Sequence, residues 1–371
     1  MEFTVSKADL VRELSLSQGV VEKKTTIPIL SNVLLEAKND RVALTATDLE
    51  LGIRCSCPAK VKKEGSGTIP ARKLLDYVRL LPEADLNIKF LENHWASLTC
   101  GRSRTRIAGM SRESFPELPQ MPEPIAEIPV KMLATMISRT SFAISLEESR
   151  FTLNGALLLL KPDATTMVAT DGHRLAYVEA ASPGLSGGKS FRALVPKKAM
   201  AEIVKLADES GADSKLVFAG DDNHLFFQFG ERLLITRKLT GNFPDYDKVL
   251  PKDNVHHAKL HRDEIRSAIE RVSQFADERS RAIRVQFTAG EVKIFSSSVE
   301  TGESEESVPS EYGGPDMEIG FNAQYLLDFL RATSQEQVAF ELKDQKSAGE
   351  MRPVTESTED HYRYVVMPMR I

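Results

Sequence analysis

One helix-like segment recurs three times along the 371-residue chain, and this repetition constrains the fold more than any other feature. The segment begins at Ile69, Val195 and Phe321, so two equal steps of 126 residues separate the copies. Each copy places its apolar residues at positions i, i+1, i+4 and i+7, which share one face of a helix. Self-similarity at a fixed step is typical of repeated structural units. The sequence therefore predicts three tandem copies of one domain.

The repeat step also predicts which side chains each helix buries. The predicted buried face comprises Leu74, Leu75, Val78 and Leu81 in the first copy, Met200, Ala201, Val204 and Ala207 in the second, and Leu326, Leu327, Leu330 and Thr333 in the third. A second amphipathic segment opens each copy, with Leu10, Leu133 and Ile265 at matching positions. Short β-rich stretches separated by turn residues lie between the helices, as in hairpins. Each copy is predicted to hold two helices and roughly eight strands.

This layout is typical of an α+β fold in which two helices pack on antiparallel sheets. Pro-bearing or polar segments near residues 122–126 and 251–254 separate the copies. We therefore predict domains at residues 1–125, 126–252 and 253–371.

Composition and cysteine spacing exclude several classes of protein. The longest apolar run, Gly155–Leu160, is far shorter than the roughly 20 residues of a membrane span. The N-terminal segment has no basic stretch followed by an apolar core, so no secretory signal is visible. Cys55, Cys57 and Cys100 fit neither a disulfide framework nor the spacing of a metal site. We expect a cytoplasmic protein with reduced thiols, no cofactor and no membrane partner.

The net charge of −5 is unevenly distributed along the chain. Residues 1–125 carry +2, residues 126–252 carry +1, and residues 253–371 carry −8. An acidic protein is not an obvious nucleic-acid binder, so any DNA role requires a local basic surface. Basic residues do recur at one helix position, as Arg79, Lys205 and Arg331. The candidates for phosphate contact are Arg72, Lys73, Arg79, Arg139, Lys197, Lys198, Lys205, Arg271 and Arg331. A solvated helix face is the alternative to a surface that attracts phosphates without reading bases.

The sharpest candidate for chemistry is the segment TDGHRL, which begins at Thr170. Asp171 and His173 could form an acid–base or metal pair, but Asp-Gly after a strand is also typical of a turn. The first copy has Asp48 at the matching place and no histidine. No motif of nucleotide binding or of a known hydrolase is present. Catalysis, a binding groove and a plain turn are the three interpretations.

Three phrases together resemble the bacterial sliding clamp family, the beta subunit of DNA polymerase III. They are TDGHRL, FPDYDKVLP from Phe243, and the terminal VVMPMRI, and the resemblance covers the whole chain. The resemblance implies three domains of one DNA clamp fold and a head-to-tail homodimer, a six-domain ring whose helices line a hole for duplex DNA. It implies a processivity factor with no catalytic activity. Its partners would be duplex DNA of any sequence and the DNA polymerase subunits, clamp loader and repair proteins that dock short peptide motifs.

The resemblance also implies a peptide pocket between the middle and last domains. Its residues would be Leu153, Thr170, Gly172, His173, Arg174, Leu175, Pro244, Lys248, Val249, Asn322, Tyr325, Val365, Met367, Pro368, Met369 and Arg370. His173 and Arg174 would orient the peptide by hydrogen bonds. Lys248 stands where the family commonly has Arg, and Ser280 stands where it can have Phe. For DNA, the resemblance adds Lys23 and Lys24 as loop contacts, whereas Glu147 is an acid at a place where relatives can have a polar contact.

Opposite charges at the two ends of the chain suit a head-to-tail dimer. In a strand of period 2, Arg102, Arg104 and Arg106 would share one face. The last copy carries Glu300, Glu303, Glu305 and Glu306. A basic first domain meeting an acidic last domain would favour this contact. The resemblance adds Phe275 as its apolar anchor. Two unrelated solvated edges are the alternative.

Overall fold

The structure is a computed structural model, and it describes residues 1–21, 26–181, 185, 188, 190–211, 213–299, 302–355 and 360–370. Within these residues each copy contains two α-helices and eight strands, as the repeat predicts. The helices are α1 (Lys7–Ser17), α2 (Ala71–Leu80), α3 (Val130–Thr140), α4 (Lys197–Asp208), α5 (Arg262–Val272) and α6 (Ala323–Ala332).

The strands follow the same order in each copy. The first copy contains β1 (Glu2–Ser6), β2 (Asn32–Lys38), β3 (Arg41–Thr47), β4 (Leu51–Lys63), β5 (Gly65–Pro70), β6 (Asp85–Phe90), β7 (Trp95–Cys100) and β8 (Ser103–Ala108). The second contains β9 (Ala126–Pro129), β10 (Gly155–Leu160), β11 (Ala164–Thr170), β12 (Arg174–Ala181), β13 (Phe191–Pro196), β14 (Lys215–Gly220), β15 (His224–Phe229) and β16 (Arg232–Arg237). The third contains β17 (His256–His261), β18 (Ala282–Thr288), β19 (Glu291–Ser298), β20 (Gly302–Glu311), β21 (Met317–Asn322), β22 (Gln337–Leu342), β23 (Gly349–Pro353) and β24 (Asp360–Val366).

The chain forms two compact units, and these do not coincide with the three copies. One unit contains residues 1–131 and 198–238, and the other contains residues 132–197 and 239–371. Each unit is built on one 12-stranded sheet. The middle copy is divided, because β9 and β14–β16 belong to the first sheet and β10–β13 to the second. The predicted boundaries after residues 125 and 252 stay a prediction.

Strands at the same two positions within a copy join successive copies in each unit. In the first unit β4 pairs antiparallel with β16, so that Gly52 lies opposite Ile235. In the second unit β12 pairs with β24, so that Leu175 lies opposite Val365. In both cases the fourth strand of one copy pairs with the eighth strand of the next. Each sheet therefore continues across the junction between two copies.

Among the fourth and eighth strands of the three copies, two have a free edge in the described part of the chain. The eighth strand of the first copy, β8, is bonded only to β7 and ends its sheet. The fourth strand of the third copy, β20, pairs with β19 from Gly302 to Pro309 but pairs with β17 only at Ser310 and Glu311. Its residues 302–308 therefore keep one unpaired side. Such edges are templates for pairing with another chain.

The buried helix faces agree with the prediction in two copies. All four predicted residues of the first copy are buried, and all four are buried in the third copy. In the second copy the prediction is wrong by one position, because Ala201 is exposed and Val204 is only half-buried. The apolar residues buried there are Ala199, Met200, Ile203 and Leu206, and the side chain of Glu202 is buried as well. Burying Ile203 and Leu206 removes more apolar area from water than burying alanines at 201 and 207, so α4 presents the neighbouring face.

Paired alanine substitutions on α4 test this face. Ile203→Ala is expected to lower the free energy of unfolding by about 2–4 kcal/mol, because it leaves a cavity in the core. Val204→Ala, one residue along, should cost less than about 1 kcal/mol, since the side chain is partly in water. Chemical denaturation of both variants measures the difference. Equal losses would contradict the observed face.

The three cysteines are buried free thiols. Burial raises the pKa of the Cys57 thiol to about 12, and burial also raises the pKa of Cys55 well above its usual range. Such thiols stay protonated at neutral pH, and a metal needs the thiolate. The residues that the structure describes contain no group of three side chains placed to hold a metal ion. No helix among them is long and apolar enough to cross a membrane.

Candidate functional site

The TDGHR segment forms a tight turn between β11 and β12. The Asp171 carboxylate accepts the backbone N–H groups of His173 and Arg174 at 2.9 and 3.1 Å. The Thr170 hydroxyl donates to the carbonyl of Arg174 at 2.6 Å and accepts the N–H of Gly172 at 3.1 Å. Gly172 has φ of +89°, which glycine adopts without strain. Thr170 and Asp171 therefore build the turn, and His173 is left exposed.

The first copy contains the same turn. Thr47 and Asp48 make the same four hydrogen bonds, and Leu49 takes the place of glycine with φ of +79°. The turn is thus a property of the repeat. The middle copy differs at the next two positions, where His173 and Arg174 replace Glu50 and Leu51 of the first copy.

An apolar cluster lies beside the turn in the second unit. Its buried members are Leu157, Val168, Leu175, Leu194, Phe243, Leu250 and Val365, and its partly exposed members include Leu153, Tyr177, Leu239, Tyr246 and Val249. The structure therefore brings together four predicted pocket residues, Leu153, Leu175, Val249 and Val365, from four separate segments. Partly exposed apolar side chains on a rigid sheet are what a ligand cleft requires.

The chain after β24 lies against the turn. The N–H of Met367 donates to the carbonyl of His173 at 2.9 Å, and the Met367 side chain is 38% exposed. The N–H of Met369 donates to the carbonyl of Gly320 at 2.8 Å, which leads Pro368 and Arg370 toward the start of α6. The predicted tail residues are therefore adjacent to the apolar cluster and to β21.

Two further predicted pocket residues, Asn322 and Tyr325, lie at the N-terminus of α6. The side chain of Asn322 accepts the N–H of Gln324 at 2.9 Å and donates to the carbonyl of Ser280 at 3.3 Å. Pro244 and Lys248 are exposed on the segment after β16, where Lys248 contacts Asp245 at 2.8 Å. The ion pair raises the pKa of Lys248. These two residues lie outside the apolar cluster.

The aromatic wall of the cluster is not among the residues predicted from the sequence. The rings of Tyr177 and Tyr246 lie 5.9 Å apart between centroids, and the buried Phe243 belongs to the same cluster. Burial, followed by a hydrogen bond to Glu179, raises the pKa of Tyr177, so its hydroxyl stays a donor. The period of a strand could have indicated Tyr177, since it is two residues beyond Leu175 and on the same face.

Arg174 braces the turn against α6. Its Nε donates to Asp171 at 3.0 Å, its Nη2 donates to the carbonyl of Phe142 at 2.6 Å, and its Nη1 binds Asp328. The guanidinium carbon lies 4.3 Å from the ring centroid of Tyr325, and the side chain is 9% exposed. Burial opposes the charge, but the surrounding groups raise the pKa of Arg174, so it stays cationic. Arg174 therefore uses most of its donors in hydrogen bonds within the protein, although the prediction assigned them to a bound peptide. His173 is exposed and is the more available of the two predicted peptide-binding groups.

Replacement of Arg174 tests the bracing role. Arg174→Gln leaves Asp171 and Asp328 without their shared cation and is expected to lower the free energy of unfolding by about 3 kcal/mol. Arg174→Lys should recover only part of the loss, because an ammonium cannot reproduce the planar fork of a guanidinium. Chemical denaturation measures both variants. A loss below about 1 kcal/mol for the glutamine variant would mean that the turn does not need this brace.

The predicted phosphate contacts are exposed, but most of them are paired. All are exposed except Arg139, which is half-buried over the ring of Tyr362. The ion pairs are Lys205 with Glu202 at 2.6 Å, Arg331 with Glu270 at 2.9 Å, Arg271 with Glu306 at 2.6 Å, Arg72 with Asp76 at 3.9 Å, and Lys198 with Asp48. Lys23 and Lys24 lie outside the described residues. Glu147 is paired with Arg150 at 2.8 Å.

The predicted charges of the dimer contact are only partly on one face. Arg104 and Arg106 are exposed on β8, but Arg102 lies in the turn before the strand, so the prediction of three arginines on one strand face is wrong. Glu303 and Glu305 are exposed on β20. Glu306 lies on the opposite face of β20 from Glu303 and Glu305 and forms an ion pair with Arg271. Phe275 is half-buried beside Gly302, and Glu300 lies outside the described residues.

Comparison with known proteins agrees with this architecture. Sequence models of the DNA polymerase III beta subunit match residues 1–119 (N-terminal domain), 127–245 (central domain) and 247–370 (C-terminal domain). The beta sliding clamp of Pseudomonas aeruginosa is 36% identical over 375 residues, and the alignment covers 100% of this chain and 100% of that protein. The beta sliding clamp of Chlamydia muridarum is 35% identical over 375 residues, and the alignment covers 100% of this chain and 99% of that protein. A crystal structure of the DNA polymerase sliding clamp from Pseudomonas aeruginosa superposes with a TM-score of 0.92 at 34% identity, covering 100% of both chains. The chain therefore belongs to the DNA polymerase III beta subunit family, the bacterial beta sliding clamps.

Proposed function

We propose that this chain is a DNA polymerase processivity factor that closes into a head-to-tail dimeric ring around duplex DNA. It tethers polymerase subunits, the clamp loader and repair proteins through the apolar cleft beside the TDGHR turn. It performs no bond chemistry and needs no cofactor, because a closed ring is retained on DNA by topology. We place it in the cytoplasm, with no membrane partner. The observation that carries the proposal is the pair of free edges on β8 and β20.

Internal equivalence supports a second copy of the chain as the missing partner. The fourth strand of one copy pairs with the eighth strand of the next at both junctions inside the chain. The two strands left over are the fourth of the last copy, β20, and the eighth of the first, β8. Pairing between β20 of one protomer and β8 of its partner repeats the same junction. Two such contacts close a ring with two-fold symmetry.

The pairing inside the chain also predicts the register of this contact. The turn before β8 contains Gly101, and the turn before β16 contains Gly230. Counted from these two glycines, Arg104 corresponds to Leu233 and Arg106 corresponds to Ile235. Pro58 lies opposite the first residue of β3, and Pro309 lies opposite the first residue of β19. Counted back from these two prolines, Arg54 corresponds to Glu305 and Gly52 corresponds to Glu303. Leu233 pairs with Arg54 and Ile235 with Gly52. Arg104 should therefore face the partner's Glu305, and Arg106 the partner's Glu303.

Charge reversal tests this register. Arg104→Glu with Arg106→Glu should give monomers, because like charges directly opposite each other destabilise a strand pair. Glu303→Arg with Glu305→Arg should do the same. Mixing the two variants makes both contacts complementary and should restore a dimer of about 82 kDa, twice the chain mass of 41.2 kDa. Sedimentation at low micromolar concentration measures the mass.

Two results make the dimer test specific. Arg102→Glu, in the turn outside the strand, is the matched control and should remain dimeric. Phe275→Asp should weaken the adjoining apolar contact, since a desolvated charge is costly. Dimers of both reversed variants alone, or no dimer after mixing, would refute the register.

The apolar cleft suits a short extended peptide with apolar side chains. Burying a few such side chains contributes roughly 1.5–3 kcal/mol each, less the cost of ordering the peptide. The remainder corresponds to roughly micromolar affinity, which allows partners to exchange. The exposed His173 is placed to hydrogen-bond the peptide, and Leu175, Val249 and Val365 supply the floor.

Aspartate substitutions test the cleft. Met367→Asp should weaken binding of a polymerase-derived peptide by about tenfold or more, because it places a charge against an apolar side chain of the ligand. Leu175→Asp should have a larger effect but also cost stability, as Leu175 is buried. Leu49→Asp, on the matching turn of the first copy and 50% exposed, is the control. Titration of dimeric protein measures affinity, and undiminished binding by Met367→Asp and Leu175→Asp would place the site elsewhere.

A further inference from the structure

A second cavity adjoins the apolar cleft in the second unit and has a volume of about 430 Å³. Tyr177 and Leu250 line this cavity and also belong to the apolar cluster of the cleft. The charged residues that line it include Glu179, Asp247, Arg352 and Arg363. The cavity therefore continues the cleft with a lining that is charged instead of apolar.

The pairing of β12 with β24 connects the cleft to this cavity. Leu175, Tyr177 and Glu179 alternate along β12 and therefore share one face of the sheet. Their partners on β24 are Val365, Arg363 and His361. From Leu175 at the cleft floor to Glu179 in the cavity, this face extends about 14 Å at roughly 3.4 Å per residue. An extended peptide in the cleft can therefore reach the cavity with a residue that flanks its apolar ones.

The two arginines of the cavity are already paired with carboxylates of the protein. The fully buried Glu350 accepts the Nε–H of Arg352 at 2.7 Å and two N–H groups of Arg363 at 2.6 and 2.7 Å. Arg352 also contacts Glu341 at 3.1 Å. Arg363 donates to the carbonyl of Pro251 at 2.8 Å. Two carboxylates therefore balance the charge of the two arginines.

Two further carboxylates of the cavity have no cationic partner in the described part of the chain. One oxygen of Glu179 accepts the hydroxyls of Tyr177 and Thr166 at 2.7 and 3.0 Å, which leaves its other oxygen for another donor. Asp247 is exposed and forms no ion pair within the described ranges. With the arginines balanced, Glu179 and Asp247 give the cavity an excess of negative charge.

An aromatic pair lies where the cleft meets the cavity. Tyr177 and Tyr246 are both partly exposed, and their rings are neighbours in the apolar cluster. Burial, followed by the charges of Asp247 and Glu179, raises the pKa of Tyr246. The single cation Arg192 opposes this effect. An aromatic face with carboxylates beside it attracts an ammonium or guanidinium group.

We propose that this cavity is a specificity subsite of the cleft and takes a lysine or arginine side chain of the docked peptide. The inference rests on the proposed function. The aliphatic stem of that side chain packs on Tyr177 and Tyr246, and its charged end binds Glu179 and Asp247. The apolar residues of the peptide supply most of the affinity, whereas the charge contact discriminates between partners.

Peptides that differ at one flanking residue test the subsite. A polymerase-derived docking peptide is prepared with lysine, alanine or glutamate at each of the residues next to its apolar ones, on either flank. On one flank the lysine peptide should bind about threefold to tenfold more tightly than the alanine peptide, because it gains an ion pair and a cation–π contact. The glutamate peptide should bind less tightly than alanine there. Fluorescence anisotropy with dimeric protein at constant salt measures the affinities.

Two double variants that remove equal charge identify the carboxylates responsible. Glu179→Gln with Asp247→Asn should abolish the lysine preference, although the glutamine oxygen can still accept the Tyr177 hydroxyl. Glu117→Gln with Glu123→Gln, at exposed positions of the first unit, is the matched control and should keep the preference. Asp247→Asn alone should reduce the preference in part, and this exposed substitution serves as the test if the double variant is unstable.

The outcomes separate the subsite from the function on which it rests. Equal binding of lysine and alanine peptides at every flanking position would overturn the subsite, as would a lysine preference that Asp247→Asn and the Glu179–Asp247 double variant leave undiminished. No binding of any peptide to the wild-type dimer would overturn the proposed peptide tethering itself. Unchanged affinity of the variants for the alanine peptide shows that the apolar cleft is intact.

Discussion

Antiparallel pairing between the fourth strand of one copy and the eighth strand of the next is the interaction on which the other features of this chain depend. It joins β4 to β16 and β12 to β24, and so makes two sheets from three copies. The pairing of β12 with β24 places Val365 opposite Leu175 and carries Met367 to the carbonyl of His173. The candidate cleft is therefore a consequence of a strand junction, with its floor and one wall supplied by the two paired strands.

Each junction is reinforced by a buried charged link. In the first unit Arg232 on β16 donates to Glu13 on α1 at 2.7 and 3.0 Å. Burial opposes ionisation of Glu13, but hydrogen bonds from Arg232 and Arg12 lower its pKa. A carboxyl with a lowered folded-state pKa stabilises the fold above its unfolded pKa, and this contribution is lost as the pH falls through the folded pKa. In the second unit the link is Arg174 with Asp328, and there it also fixes the turn at the cleft.

Local features of the fold could be predicted from the sequence, whereas features set by distant residues could not. The hairpins and six helices are predictable from short-range periodicity, and the resemblance gave the cleft residues of TDGHRL and the tail. The fixed repeat step failed at α4, because the bulk of Ile203 and Leu206 decided the buried face. The pairing of Arg271 with Glu306 joins residues 35 apart, and no periodicity indicates it. The division of the middle copy between two sheets depends on strand pairing across copies, which local patterns do not encode.

The placement of charge, more than its total, decides what this acidic chain can bind. A ring held on DNA by topology needs contacts that are weak and independent of sequence, since tight ones would oppose sliding. Ion pairs such as Arg331 with Glu270 and Lys205 with Glu202 provide this by cancelling cations on the helix faces. The excess carboxylates of the last copy then fall into two groups. Glu270 and Glu306 neutralise Arg331 and Arg271, whereas Glu303 and Glu305 stay exposed on the edge of β20 that we propose to pair with a basic strand of a second chain.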